Sequence, residues 1–162
     1  AATPDGALYI TDTGIRIDAS GATTHPGKDR IFVVRGRDAK IAMEDEHLAS
    51  PNGIAWDAAN RRLLLAPFNS TAVQAWRLEQ PRVSQIAVGN GRYDGIEALP
   101  DGSFLITSWA DSSLNVATEG QGLRKIAGSL DGPADIGVDL RRGWVAVPSL
   151  NANRVDWFAV PL

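Results

Sequence analysis

The chain predicts an all-β fold, a β-propeller of four-stranded antiparallel blades, and two observations carry that expectation. It repeats itself: Asn52-Gly53-Ile54 opens one unit, Asp94-Gly95-Ile96 opens the next 42 residues later, and Ala134-Asp135-Ile136 opens another 40 residues on. Each opener leads into a short apolar stretch, a turn and a second, stronger apolar run such as Leu63-Leu64-Leu65-Ala66 or Phe104-Leu105-Ile106-Thr107. A period near 40 built from short strands marks propeller blades. Counting back, Pro4-Asp5-Gly6 matches Pro100-Asp101-Gly102 at an offset of 96, so a further unit is under way where the sequence starts. The reading is one domain over 1–162, just under four blades, at about 1–48, 49–90, 91–130 and 131–162.

Strands are lettered A to D outward from the propeller axis. In the first unit Ala7 to Thr11 reads as B, Arg30 to Arg35 as C and Ala39 to Met43 as D. The second gives A at Gly53 to Asp57, B at Arg62 to Ala66, C at Val73 to Leu78 and D at Val83 to Val88. In the third, A is Gly95 to Leu99, B Ser103 to Ser108, C Leu114 to Ala117 and D Leu123 to Ala127. The last has A at Ile136 to Val138, B at Trp144 to Val147 and C at Arg154 to Val160, with no D. Pro, Gly, Asp, Asn and Ser fill the intervals, as tight turns require. No window carries a helical period, so helix is expected to be minor. Trp56, Trp144 and Trp157 fall on strand positions and read as core. A strand C without its D leaves a free edge that invites pairing with another chain, so self-association through the open ends is expected.

Composition narrows the function. A formal charge of −3 with scattered basic residues gives no electrostatic reason to expect nucleic acid. Without cysteine there is neither a disulfide framework nor a thiolate zinc site, which suits a cytoplasmic, periplasmic or secreted location alike. No apolar run approaches the roughly 20 residues of a membrane span, so a soluble protein without membrane association is expected.

In a propeller the D-to-A and B-to-C connections emerge on one face, with the start of strand A nearest the axis. Asn52 and Asp94 therefore occupy the same place on successive blades, at the mouth of the central channel. Two oxygen donors held there could share a hard divalent cation, which takes such ligands at about 2.0 to 2.6 Å. Plain turn chemistry accounts for Asn-Gly and Asp-Gly as well. In the last unit Ala134 has no donor, though neighbouring Asp135 has one. On the same face lie Asp12, Phe68, Asn69 and Trp109, candidates for a pocket with aromatic walls; Trp109 serves equally as a cap on the blade interface. The stretch Gly14 to Asp29, with His25, is long for a B-to-C connection and reads as a lid or a surface loop. Glu44-Asp45-Glu46 reads as a solvated acidic turn.

The succession Ser50-Pro51-Asn52-Gly53-Ile54-Ala55-Trp56, Tyr93-Asp94-Gly95-Ile96, Gly132-Pro133-Ala134-Asp135-Ile136-Gly137-Val138-Asp139 and Asn153-Arg154-Val155 resembles the sugar-lactonase family of gluconolactonase, senescence marker protein and the luciferin-regenerating enzyme. Pro4 to Gly14 fits the same pattern. The resemblance implies a six-bladed propeller, of which this chain is the C-terminal part. It also implies a divalent ion at the channel mouth held by a glutamate, an asparagine and an aspartate. Asn52 and Asp94 match the last two; the glutamate, the third ligand, is expected upstream of residue 1, as are the family's substrate-contacting arginine and asparagine. On that resemblance the expected activity is metal-dependent hydrolysis of a lactone or similar ester, with Asp94 the proton acceptor. It is expected to need the missing blades. Calcium is favoured over zinc, magnesium or manganese because no His or Cys is implicated. The alternative is a non-catalytic NHL-like propeller that uses Phe68 and Trp109 as a binding platform. A propeller like strictosidine synthase would need an acid at the channel that the sequence does not locate.

Overall fold

The computed structural model describes residues 1–161 and is built of antiparallel strands and two single 3-10 turns. β1 (Leu8–Asp12), β4 (Arg30–Arg35) and β5 (Asp38–Glu44) form the first sheet, and β2 (Arg16–Ile17) with β3 (Thr23–Thr24) makes a separate small hairpin inside it. The second sheet runs β6 (Pro51–Asp57), β7 (Arg62–Pro67), β8 (Ala72–Trp76), β9 (Ser84–Val88). The third runs β10 (Tyr93–Ala98), β11 (Phe104–Ser108), β12 (Ser113–Ala117), β13 (Arg124–Ala127). The last holds β14 (Gly137–Asp139), β15 (Trp144–Ser149) and β16 (Arg154–Ala159). Every strand pairs with its neighbour in sequence around the intervening hairpin, so each sheet is a meander.

The core explains the sequence pattern. Side chains alternate across a strand, so a strand covered on both faces must be apolar throughout. In β7, Leu63 and Leu65 pack with Ala7, Tyr9, Ile31 and Met43 of the first sheet, while Leu64 and Ala66 pack with Tyr93, Ile96, Phe104 and Ile106 of the third. In β11 the alternation repeats, with Phe104 and Ile106 facing back and Leu105 joining Val145 and Val147 of the last sheet and Ile136 just before it. The terminal sheets have one covered face only. Leu8 and Ile10 are 48% and 49% exposed, and Trp144 and Trp157 are 44% and 62% exposed. The core reading of those two tryptophans is therefore corrected: nothing among the described residues covers the face they occupy. Trp56 is half-buried, its indole nitrogen without a partner among the described residues.

The repeat at an offset of 96 is visible in hydrogen bonds. Thr3 N–H donates to Ala7 O at 2.9 Å and Leu99 N–H to Ser103 O at 2.8 Å, so Ala1 to Thr3 lie beside β1 as the end of an innermost strand. A second recurring device sits before each opener. Ser50, Arg92 and Gly132 all take left-handed backbone, φ 58°, 49° and 67°, and their carbonyls accept the N–H of Phe68, Trp109 and Leu150 at 2.9, 3.0 and 2.9 Å. These bonds lash each B-to-C loop to the linker that enters its own sheet.

Asn-Gly and Asp-Gly are not turns here. Both lie inside strands, β6 and β10, at bulges in the pairing with β7 and β11. Neither glycine has positive φ; each is required by proximity. A Cβ on Gly53 would overlap the carbonyl oxygen of Asp94, and one on Gly95 would sit 2.7 Å from Asp135 Cα and Ile136 N. Successive innermost strands thus meet backbone to backbone. The neighbouring contacts are pinned by hydroxyls: Thr11 Oγ1 donates to Asn52 O at 2.6 Å and Thr107 Oγ1 to Ala134 O at 3.1 Å.

This packing separates two kinds of glycine experimentally. Gly53→Ala and Gly95→Ala are each expected to cost more than about 2 kcal/mol in urea unfolding, because backbone cannot yield as a side chain can. Gly36→Ala, at φ 60° with nothing within 4 Å of a new Cβ, should cost about 1 kcal/mol. Equal losses at the three positions would contradict the backbone-contact account.

Candidate functional site

Where the innermost strands meet, Asn52 and Asp94 lie at the bulges of β6 and β10, near enough that the Asn52 carboxamide slightly favours the ionised Asp94. Trp109, first residue of the B-to-C loop after β11, donates its indole N–H to Asp94 Oδ2 at 3.1 Å and so fixes that carboxylate from the other side. Trp109 meets Phe68 of the preceding sheet edge to face, centroids 6.1 Å apart. The Arg92 guanidinium lies over the Phe68 ring at 5.1 Å. A continuous strip Asp94, Trp109, Phe68, Arg92 therefore crosses the boundary between the second and third sheets.

The carboxylates of this region are poorly compensated. Burial pushes the Asp94 carboxyl up from its ordinary value, with the Asp135 charge adding to it and the Trp109 and Asn52 hydrogen bonds opposing. Glu97, on β10, is also raised, first by burial and then by Asp135, against the charge of the Ala1 amino group. Among the described residues no salt bridge involves Asp94, Glu97 or Asp135. Peripheral acids behave in the opposite way. Asp5 is drawn down to about 2 by Thr3 and Arg35, and Glu44 is lowered by Lys28 and Arg30.

The remaining sequence candidates have structural duties. Asp12 ends β1 and its carboxylate accepts the N–H of Gly14 at 3.0 Å; Asn69 donates to Ser50 Oγ at 2.9 Å; Asp135 is exposed and accepts the N–H of Ile136 at 3.1 Å. Phe68 and Trp109 bridge the second and third sheets. The Gly14 to Asp29 stretch contains the β2–β3 hairpin, and His25 Nε2 lies 2.8 Å from the buried carboxylate of Asp29, which also accepts the Ser50 N–H at 2.7 Å. Glu44 is paired with Lys28 and Arg30, and Asp45 caps the turn that follows it. Arg92 and Glu97 carried no signal of their own in the sequence; position 92 is marked only by its equivalence to Ser50 and Gly132.

Among the described residues no group of three or more His, Cys, Asp or Glu side chains is disposed to hold a metal ion. Asn52 and Asp94 together offer one carboxamide and one carboxylate, part of a coordination set that needs further oxygen donors. A groove of about 890 Å³ lies elsewhere, among the A-to-B turns of the first two sheets and the outer turn Arg77 to Gln80. It shares none of these residues. No described helix is long and apolar enough to cross a membrane.

No protein-family model matches the chain, and no curated protein matches it. Solved structures do. A chain of the nidogen–laminin complex superposes with a TM-score of 0.73 at 17% identity, over 83% of this chain and 54% of its own. A gluconolactonase from Xanthomonas campestris gives 0.72 at 19% identity, over 91% and 52%. Virginiamycin B lyase from Staphylococcus aureus gives 0.61 at 12% identity, over 100% and 69%. At such identities the likeness is one of fold, an all-β propeller architecture. The chain spans about half the length of the first two.

The raised carboxyls make a pH prediction. An acid whose folded pKa exceeds its unfolded one releases its proton from the unfolded chain first, so it leaves stability unchanged below the ordinary carboxylate range and lowers it as pH rises above that range. In chelator-containing buffer at pH 7, Asp94→Asn and Glu97→Gln should each raise Tm by on the order of a few °C, a gain that disappears below about pH 4. A Tm gain independent of pH, or a loss at pH 7, would contradict the uncompensated-charge reading.

Proposed function

We propose that the parent protein is a metal-dependent hydrolase of lactones or similar esters, in which this chain supplies Asn52 and Asp94 as two oxygen ligands and Asp94 as proton acceptor. The observation that carries the reading is the Asp94 carboxylate: bonded by the Trp109 indole, half-buried, raised by burial and without a cationic partner among the described residues. Such a group favours a cation beside it. Oxygen donors without His or Cys favour calcium, with the remaining ligands coming from outside this chain. A bound divalent ion supplies Lewis-acid polarisation of an ester carbonyl and acidifies water.

The residues of the chain then have separable tasks. Trp109 holds Asp94 in one orientation by its N–H, which leaves Oδ1 for the reaction. Asp94 accepts a proton from water as that water adds to the carbonyl. The ring C–O bond breaks, the departing oxygen takes up a proton, and the hydroxy acid leaves. Phe68 and Trp109 exclude water from one side of the site. Two further carboxylates, Glu97 and Asp135, add to the negative potential that favours the cation.

Calorimetry on chelator-treated full-length protein should show calcium binding that Asn52→Ala and Asp94→Ala each weaken at least tenfold. Hydrolysis of glucono-δ-lactone should require the added ion. Unchanged calcium affinity in both variants would remove the metal assignment. The second reading, a non-catalytic binding platform, is favoured by the half-buried aromatic pair at the boundary of two sheets and by the likeness to a chain of the nidogen–laminin complex, which is as close in fold as that to the gluconolactonase. Absence of turnover on a panel of aldonolactones, with and without divalent ions, would select it.

A further inference from the structure

The groove on the face opposite the mouth holds a departure from the repeat. Gly6, Arg61, Gly102 and Gly143 are equivalent, each preceding the residue that meets Thr3, Asp57, Leu99 or Asp139 across an A-to-B turn. All four take left-handed backbone, φ 81°, 52°, 85° and 72°. Glycine does so freely, whereas any other residue is strained there. Three of the turns use glycine, and the fourth holds a long cation that the backbone has no need of. Strained positions of this kind gather at ligand sites.

Arg61 lines the groove of about 890 Å³ between the first two sheets. It is exposed and has no ion-pair partner among the described residues. The backbone brings a second guanidinium beside it. Arg77, from the β8–β9 turn of the same sheet, donates Nη1–H to Asn60 O at 2.8 Å and also lines the groove. In a planar trans peptide a carbonyl oxygen stands about 2.8 Å from the next Cα, so Arg77 Nη1 lies within about 6 Å of Arg61 Cα. One guanidinium is thus anchored next to the root of the other. Pro4, Trp56, Ala58 and Leu78 give the groove an apolar wall. Two acids line it as well. Asp5 is already spent, accepting from Thr3 Oγ1 at 2.5 Å and from Arg35 Nη2 at 2.7 Å. Glu79 is exposed, has no ion-pair partner among the described residues, and opposes an anion at its end of the groove.

We propose that this groove binds a phosphate monoester with an apolar body, the phosphate between Arg61 and Arg77 and the body against Trp56 and Leu78. Two guanidinium charges suit a dianion better than a monoanion, and each planar fork matches a pair of phosphate oxygens. The groove shares no residue with the channel mouth, so the proposal stands or falls apart from the hydrolase reading.

The test uses the full-length protein at pH 7 and two probes of one shape, phenyl phosphate with nearly two negative charges and phenyl sulfate with one. Isothermal calorimetry should give submillimolar binding of phenyl phosphate, at least tenfold tighter than that of phenyl sulfate. Arg61→Gly and Arg77→Gln should each weaken phenyl phosphate at least tenfold, whereas Glu79→Gln, which removes the opposing charge, should tighten it. Thermal melting separates the first result from a folding defect. Glycine is the residue of the other three turns, so the Arg61→Gly variant should melt no lower than wild type. Failure of phenyl phosphate to bind at millimolar concentration, equal affinities for the two probes, or an affinity unchanged in either arginine variant overturns the proposal. So does binding lost in Arg61→Gly only together with a lowered Tm and retained in Arg77→Gln.

Discussion

Backbone contact between successive innermost strands is the constraint on which the channel mouth depends. β-Sheets that pack face to face keep about 10 Å between them, filled by side chains. At Gly53 and Gly95 that filling is absent, and the main chain of one sheet rests on the main chain of the next. The strands bulge at those points, so Asn52 and Asp94 sit at breaks in the ordinary register of their sheets. Hydroxyls of Thr11 and Thr107 tie the openers on either side to the preceding sheets. Side-chain chemistry at the mouth is thus positioned by glycines that have no chemistry of their own.

The charge arrangement around this contact has one pattern outside and another inside. Peripheral acids such as Asp5, Glu44, Asp101 and Asp139 are lowered by hydroxyls, arginines or backbone N–H groups, and they contribute to holding turns. Asp94 and Glu97 are raised, with burial as the first cause in each. A fold selected for stability alone would neutralise or pair them. Neither has an ion-pair partner among the described residues, and Asp94 is the one bonded to the aromatic pair, through the Trp109 N–H.

Strands were legible in the sequence because most of them are sandwiched. Leu63 to Ala66 and Phe104 to Ile106 read as unbroken apolar runs since both faces are covered, and no helix period competes with such short runs. Trp144 and Trp157 show the limit of that logic: a tryptophan on a strand signals a packing face, but the strand's own letters do not say whether another sheet covers it. Asn-Gly and Asp-Gly carry the same letters whether they form a tight turn or a bulge, and only the neighbouring strand's backbone decides between them. The β2–β3 hairpin was hidden because Arg16-Ile17 and Thr23-Thr24 are two residues each, too short for any alternation to register. Arg92 was hidden for a different reason. Its place over Phe68 joins residues 24 apart, and the left-handed backbone at 92 is a property of the repeat rather than of arginine.

The proposal that Asn52 and Asp94 share one cation places that cation next to the Trp109 indole, whose N–H is bonded to Asp94, and the adjacency offers a direct spectroscopic reading. Terbium substitutes for calcium at oxygen sites and emits when a nearby tryptophan is excited. Titrating terbium into the full-length protein with excitation at the indole band should give sensitised emission that calcium competes away, that falls at least tenfold in Asp94→Asn, and that Trp109→Phe abolishes while terbium still binds. Sensitised emission unchanged in Asp94→Asn, or no emission at terbium concentrations that occupy the protein, would contradict the claim that these two residues hold a cation at the channel mouth.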